Sequence, residues 1–144
     1  MNEQKKDVSI RLKTIIADGK DQEVNELQVK GSFFQKGNLD VLNFTEKIET
    51  SEINTLITIQ QGKIAIKRSG AVSMHQRFHL GQATETVYKH PHGNIHMETF
   101  TKQIHYRPLQ SGIAALLALD YAVKLNGQDA RNHRLELLFE EDLK

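Results

Sequence analysis

The chain has 144 residues, enough for one domain with a single core and too few for two comfortable domains. Its 19 Lys and Arg residues nearly balance 18 Asp and Glu residues, and the formal net charge of +1 provides no electrostatic footprint for nucleic acid or for an anionic membrane. Cysteine is absent, which excludes disulfides, thiolate catalysis and cysteine-rich metal sites.

The N-terminal stretch MNEQKKDVSI lacks the apolar region of a signal peptide. Nowhere does the chain approach the ~20 consecutive apolar residues that span a bilayer. We therefore expect a cytoplasmic protein, with residues 1–6 as a flexible tail and residues 7–144 as a single domain.

Short runs of alternating apolar residues follow one another along the chain. Such runs begin at Val8, Leu27, Ile57, Ile64 and Ile95, and glycine-rich turn signals separate them. The pattern predicts nine or ten strands joined as hairpins, which form an antiparallel meander. Since a meander must hide its edges, it closes into a barrel or folds into a sandwich. We predict an all-β fold, a single antiparallel up-and-down meander barrel.

The neighbouring residues Phe33 and Phe34 lie in one of the predicted strands. In a regular strand their side chains point to opposite faces, so one of them is expected on the outside, where it could serve an interface.

The stretch RSGAVSMHQRF, residues 68–78, predicts a strand with one dry face and one wet face. From Gly70 to Leu80 every second position is apolar or glycine except Gln76, and Arg68 stands in the same phase. A buried amide without a partner costs on the order of 1 to 3 kcal/mol, and a guanidinium costs more, so each must have one.

Three interpretations of these polar residues stay open. A ligand with a carboxylate or amide head could bind them while its apolar tail lies against Met74 and Phe78. A turn at Ser69 could instead direct Arg68 outward. Finally, the partners could be internal: a backbone carbonyl, a carboxylate at a barrel end, Thr99, Thr101, Tyr88 or Tyr121.

The segment YKHPHGNIH places His90, His92 and His96 around one predicted turn. Zinc needs three or four converging ligands, and no carboxylate or cysteine stands at an obvious ligand spacing. The pattern favours an exposed hairpin tip, so we predict no metal site.

The segment SGIAALLALDYAVKLNG, residues 111–127, contains helix-forming alanine and leucine, yet its odd positions are all apolar. A helical stripe would bring Asp120 and Lys124 into the core, so a strand is favoured. Pairing through a two-residue turn at Asn126 and Gly127 would place these apolar positions opposite the polar positions of RLELLFEE. We therefore predict a bulge or a longer loop.

The sequence gives little support for catalysis. The segment RSGA around Ser69 is not a nucleophile elbow, and neither a phosphate-binding nor a dinucleotide-binding glycine motif is present. Carboxylates in EKIETSE, residues 46–52, and in the C-terminal segment are typical of a solvated surface. We predict no catalytic residue and no cofactor.

Taken with Gly81, Tyr88, the PHG at residues 91–93 and the terminal DYAVKLNG, the stretch RSGAVSMHQRF resembles the YwiB-like family of uncharacterised bacterial proteins. The resemblance covers essentially the whole chain and implies a calycin-like β-barrel, the architecture of lipocalins and fatty-acid-binding proteins. It implies no activity, substrate or catalytic residue.

The sequence predicts non-catalytic binding of a small, partly apolar molecule, anionic or with an amide head, in the barrel lumen. Arg68 and Gln76 would be its polar anchors, with Met74, Phe78 and Tyr88 as lining. The alternative is a filled barrel that acts as a protein-interaction module through an exposed edge or an aromatic patch. Neither nucleic acid nor a membrane is an expected partner, and the choice between a monomer and a small homo-oligomer stays open.

Overall fold

Residues 5–142 are described by a computed structural model, and they form ten β-strands without a helix. Within these residues, no helix is long and apolar enough to cross a membrane. The expected flexible tail falls largely on residues 1–4, outside the described residues, and the first strand begins at Lys6. The strands are β1 (Lys6–Asp18), β2 (Asp21–Lys36), β3 (Leu39–Ile48), β4 (Ser51–Gln60), β5 (Lys63–Gly70), β6 (Met74–His79), β7 (Ala83–His90), β8 (Gly93–Arg107), β9 (Ala115–Leu125) and β10 (Arg131–Glu141).

Each strand pairs antiparallel with its neighbour in sequence, and the spatial order is β6-β5-β4-β3-β2-β1-β10-β9-β8-β7. The first and last strands pair along most of their length, with Ile10 opposite Phe139. The sheet therefore curls into an up-and-down meander barrel whose two edge strands, β6 and β7, come from the middle of the chain. The predicted all-β barrel is confirmed.

The gap between β6 and β7, here called the seam, is joined by backbone hydrogen bonds at its two ends, and between them the Thr84 hydroxyl donates to the Arg77 carbonyl. At one end Ser73 and Lys89 exchange two backbone hydrogen bonds, of 3.0 and 2.8 Å. At the other, the Gly81 N–H donates to the Thr101 carbonyl at 2.8 Å, which joins the end of β6 to β8. Between these points the strands form no ladder, so the barrel is nearly closed.

A second interruption lies where β2 leaves β3, here called the fork. The two strands pair only over residues 31–36 of β2, whereas β1 pairs with residues 21–33 of β2. Gly31 stands at the fork, and a Cβ atom there would overlap the Asn43 carbonyl oxygen and the Ile10 Cδ1 atom. Beyond it, residues 21–30 of β2 have one unpaired edge.

Inside the barrel, one half is filled by side chains. Phe33 and Phe139 pack with ring centroids 5.3 Å apart, and both are buried, as the alternation of their strands predicts. At this end the Tyr106 hydroxyl on β8 donates a hydrogen bond of 2.7 Å to Asp40 on β3, across the barrel. Burial and the Asp40 carboxylate raise the pKa of Tyr106 well above its ordinary range. We call this region the filled half; its other fully buried side chains include Val8, Leu42, Ile64, Phe78, Leu117, Leu119 and Leu137.

The stretch RSGAVSMHQRF is two strands rather than one. β5 ends at Gly70, whose φ of 105° favours glycine, and β6 begins at Met74. Arg68 then lies directly opposite Met74 in the register of β5 and β6. Because directly paired residues share a face, Arg68 and Met74 both point inward. The prediction that Arg68 shares the inward face of the residues after it is confirmed, but the prediction of one continuous strand is wrong.

The segment rich in alanine and leucine is strand β9, as predicted. Alternate residues from Ala115 to Val123 are buried, and β10 begins only at Arg131, after the loop of residues 126–130. The longer loop keeps odd positions opposite odd ones, for example Leu119 opposite Leu135. A bulge does occur in this part of the sheet, between Thr101 and Gln103 of β8.

Candidate functional site

The other half of the barrel interior, here called the cavity half, holds an open space of about 450 Å³. This volume lies in the range typical of small-molecule sites, which are concave and mostly apolar. The space lies beside the fork, since both diverging strands contribute to its wall. Its lining residues are Leu12, Thr14, Asn25, Glu26, Leu27, Phe44, Glu46, Thr55, Ile57, Ile66, Arg68, Met74, Gln76, Tyr121 and Leu135.

A polar group of three side chains crosses three adjacent strands of this wall. Thr55 of β4 lies directly opposite Arg68 of β5. The Arg68 Nη2 atom is 3.6 Å from the Glu46 Oε1 atom of β3, and the two side chains are 25% and 20% exposed. Thr55 is only 3% exposed, and its hydroxyl has no hydrogen-bond partner in the described structure. The wall therefore presents a charge pair beside an unpartnered buried hydroxyl.

Gln76 does not belong to this polar group and forms a hydrogen bond within the barrel instead. Its side-chain Nε2 donates a hydrogen bond of 2.9 Å to the Thr99 hydroxyl of β8, and both residues are buried. β7 faces β6 across the seam and β8 is the next strand, so this bond reaches from β6 past β7 to β8. This polar pair therefore ties the barrel together inside the wall, and Thr99 was among the internal partners predicted for Gln76.

Three of the five predicted ligand-binding residues meet on the cavity wall: Arg68, Met74 and Gln76. The other two lie elsewhere. Phe78 is fully buried, with its ring edge toward Tyr121 at a centroid distance of 4.8 Å. Tyr88 is half-buried on β7, where it packs against the core without lining the cavity.

Sequence reasoning missed Glu46 and Thr55. Glu46 was grouped with a solvated acidic surface, but it shares the inward phase of Phe44 on β3 and is mostly shielded. Thr55 likewise shares the inward phase of Ile57 on β4. Strict alternation along these two strands was the signal that could have found both residues.

The histidine-rich turn stands apart from the cavity. The rings of His90 and His92 lie 5.2 Å apart, and His96 Nε2 is 3.4 Å from the Glu85 carboxylate. Among residues 5–142, no group of three or more His, Asp or Glu side chains is placed to hold a metal ion.

At the barrel mouth, His133 stacks on Tyr121 with ring centroids 5.2 Å apart. Burial and the positive charge of Arg131 lower the pKa of His133, while Glu23 opposes them. Burial alone raises the pKa of Tyr121 beyond its ordinary range. Both rings are thus held in their neutral forms next to the cavity at neutral pH.

A second depression, of about 430 Å³, lies on the outer surface over β1, β2 and β10. Its polar lining consists largely of exposed side chains such as Arg11, Lys30 and Glu140. Water already solvates exposed charges of this kind, so a ligand in this depression would satisfy no buried polar group, unlike a ligand in the lumen.

This protein is an up-and-down β-barrel. One half of its interior is filled, and the other half is an apolar cavity with a polar group on its wall. The chain belongs to the family "Domain of unknown function (DUF1934)", whose model matches residues 10–137. It is similar to the "Uncharacterized beta-barrel protein YwiB" of Bacillus subtilis (strain 168), with 33% identity over 97 residues, which is 67% of this chain and 68% of that protein.

The solved crystal structure of the ywiB protein from Bacillus subtilis has the same fold. It superposes with a TM-score of 0.85 at 25% identity, covering 98% of this chain and 96% of that one. The resemblance to the YwiB-like family is therefore confirmed along the whole barrel.

Proposed function

We propose that this protein binds a small, partly apolar molecule in the barrel lumen and does not transform it. The observation that carries the proposal is the unpartnered Thr55 hydroxyl, 3% exposed, on the wall of a cavity of about 450 Å³. A buried hydroxyl without a partner costs free energy that a ligand or an ordered water can recover. Because Thr55 lies opposite Arg68, a polar group of a ligand could form hydrogen bonds with both side chains.

The rest of the wall suits an apolar body. Phe44, Ile57, Ile66, Met74 and Leu135 surround the polar group, and all five are buried. Methionine adds a flexible, polarisable surface that adapts to different shapes. A small β-barrel whose side chains do not fill its interior has room for one small ligand.

The chemistry of the wall supports binding over catalysis. Nucleophilic or acid–base catalysis needs a nucleophile close to a titratable base. Thr14, Thr55 and Tyr121 carry the hydroxyls of the cavity lining, and its described lining residues include no His, Cys or Lys. Glu46 lies 3.6 Å from the Arg68 guanidinium, an arrangement that suits an anchoring role.

Native mass spectrometry of gently purified protein tests the proposal, with the denatured mass as reference. We expect a reproducible excess mass in the wild type and in Lys67→Met, and its loss in Arg68→Met. Lys67 is the matched control, because it is the preceding residue of β5 and faces solvent. A bare native mass for the wild type would contradict ligand binding.

A second candidate function is protein interaction through the unpaired edge of β2. Hydrogen bonds alternate between the two sides of a strand, and the two-residue turn at Gly19 and Lys20 sets Asp21 toward β1. Alternate residues from Gln22 to Lys30 therefore direct backbone groups away from β1, where residues 21–30 have no strand partner. Such an edge can accept an extended segment of another chain.

The direction of these backbone groups provides a test of the edge. Val24→Pro removes an outward N–H without touching the β1 ladder, whereas Asn25→Pro removes an N–H directed toward β1. If the edge binds a partner strand, Val24→Pro abolishes association in a light-scattering or pull-down measurement while the barrel stays folded. Asn25→Pro is the control for damage to the sheet. Association that survives Val24→Pro would exclude this edge.

A further inference from the structure

The polar group on the cavity wall offers a donor and an acceptor side by side. The Arg68 and Glu46 side chains approach to 3.6 Å, just beyond hydrogen-bonding distance. Neither forms a hydrogen bond with any other described side chain or backbone group. Their N–H groups and carboxylate oxygens are thus still able to bind a third group.

A ligand carboxylate is a poor match for this pair. To reach the Arg68 guanidinium it must approach the Glu46 carboxylate, and both groups are more than two-thirds shielded from water. Repulsion between like charges grows as the local dielectric constant falls. An anionic head would therefore have to displace Glu46 from its cation.

The neighbouring groups favour a neutral head. Thr55 opposite Arg68 carries an unpartnered hydroxyl that can donate and accept. Gln76 uses its Nε2 on Thr99, and its carboxamide still borders the cavity. Around the charge pair the wall therefore supplies neutral donors and acceptors, and the further charge of the lining, on the exposed Glu26 of β2, is negative.

Resting on the proposed lumen function, we infer that the ligand's head is a neutral amide-type group, with a carbonyl next to an N–H, as in a carboxamide, lactam or urea. Its carbonyl oxygen accepts from Arg68 and its N–H donates to Glu46. The ion pair is kept, each charge gains a charge-assisted hydrogen bond, and no net charge enters the barrel. The apolar body then lies against Phe44, Met74 and their neighbours.

Two probes that differ only in the head test this inference: octanamide and octanoate. Affinities are measured by calorimetric or NMR titration at neutral pH, where octanoate is ionised. We expect the wild type to bind octanamide at least about tenfold more tightly than octanoate. The amide gains a hydrogen bond to a charged group, and one such bond corresponds to about a tenfold change in affinity.

The variant Glu46→Gln should reverse this preference. Glutamine keeps an acceptor oxygen but no charge, so octanamide exchanges a charge-assisted hydrogen bond for a neutral one and weakens by about tenfold, whereas octanoate gains access to Arg68 and binds more tightly. Glu52→Gln is the matched control, since Glu52 lies exposed on the neighbouring strand β4. It should leave both affinities unchanged. If Glu46→Gln does not fold, the wild-type comparison and Arg68→Met, which should weaken both probes, carry the test.

The outcomes separate the two proposals. Equal affinities, or tighter binding of octanoate by the wild type, would overturn the amide head while leaving a ligand site in the lumen. If neither probe binds, the amide inference is also overturned, and a co-purified mass would still support the proposed function. A bare native mass together with no binding of either probe would overturn both.

Discussion

The filled half and the cavity half are built from the same strands, yet they differ in what those strands place on the inner face. In the filled half β5 contributes Ile64 and β6 contributes Phe78, both fully buried. A few residues away the same two strands contribute Arg68 and Gln76. Alternation fixes which face a residue occupies, but the residue chosen at each inward position decides whether the barrel packs solid or leaves a space.

The filled half and the cavity half of the barrel are also closed by different contacts. The filled half is completed by core packing and by the Tyr106–Asp40 hydrogen bond across the barrel. In the cavity half, the fork at Gly31 lets β2 separate from β3, and the Gln76–Thr99 bond ties the seam. We conclude that the space lies where β2 and β3 stop pairing, in the half of the barrel where a buried side-chain hydrogen bond links β6 to β8.

The substitution Gly31→Ala should have the largest effect, because it attacks the fork itself. The added methyl group would overlap the Asn43 carbonyl oxygen and the Ile10 side chain, so β2 must move. We expect a loss of about 3 kcal/mol in the free energy of unfolding, measured by urea denaturation. At Gly62, where φ is 75° and nothing lies within 4 Å, alanine should cost only about 1 kcal/mol. Equal losses at the two sites would contradict a tight fork.

The substitution Gln76→Leu breaks the tie across the seam. Thr99, 1% exposed, would lose its hydrogen-bond partner. We expect a loss of about 2 kcal/mol in the free energy of unfolding. Thr99→Val should cost a similar amount, and the double variant should cost clearly less than the sum of the two. Strict additivity in this double-mutant cycle would show that the two side chains are not coupled.

Two buried threonines sharpen the comparison between lining and non-lining positions: the hydroxyls of Thr55, on the cavity wall, and of Thr101, which is not a lining residue, both lack a partner among the described residues. Valine has nearly the same shape and removes the unpartnered oxygen, so each variant should gain about 1 kcal/mol without ligand. Thr55→Val should also lose the thermal stabilisation produced by octanamide, whereas Thr101→Val should keep it. Thermal unfolding with and without the probe measures both, and identical responses would remove Thr55 from the site.

The smallest effect should be a pH dependence from the mouth of the cavity half. The pKa of His133 is lowered by burial and Arg131, so folding favours its neutral form. Its stabilising contribution is fully present above the unfolded pKa of about 6.5 and is lost as pH falls through the lower folded value. Partial exposure of His133 keeps the contribution small. The variant His133→Gln should flatten stability between about pH 7 and 5; an unchanged slope would assign it to other groups.

The sequence was sufficient for the fold and for part of the site. Alternation and turn residues predict a meander of nine or ten strands and the strand character of residues 115–125; before β10 they leave a bulge and a longer loop open, and the structure has the loop. They also predict the common face of Arg68 and Gln76. The partner Glu46 could not be deduced, because it depends on the register of β3 and β4 and on the fork. Phe78 and Tyr88 share the periodicity of lining residues, and only packing shows that they lie away from the cavity.

The pairing of the first strand with the last has a consequence for how the chain folds. Ile10 finds Phe139 only after nearly the whole sequence is available, so closure is the most non-local step of the fold. During synthesis, the consecutive hairpins from β1 to β9 can form while β1 still lacks one neighbour. A circular permutant that links residue 144 to residue 1 and opens the chain at Gln82, in the turn between β6 and β7, would make this contact local. It should fold faster to the same barrel.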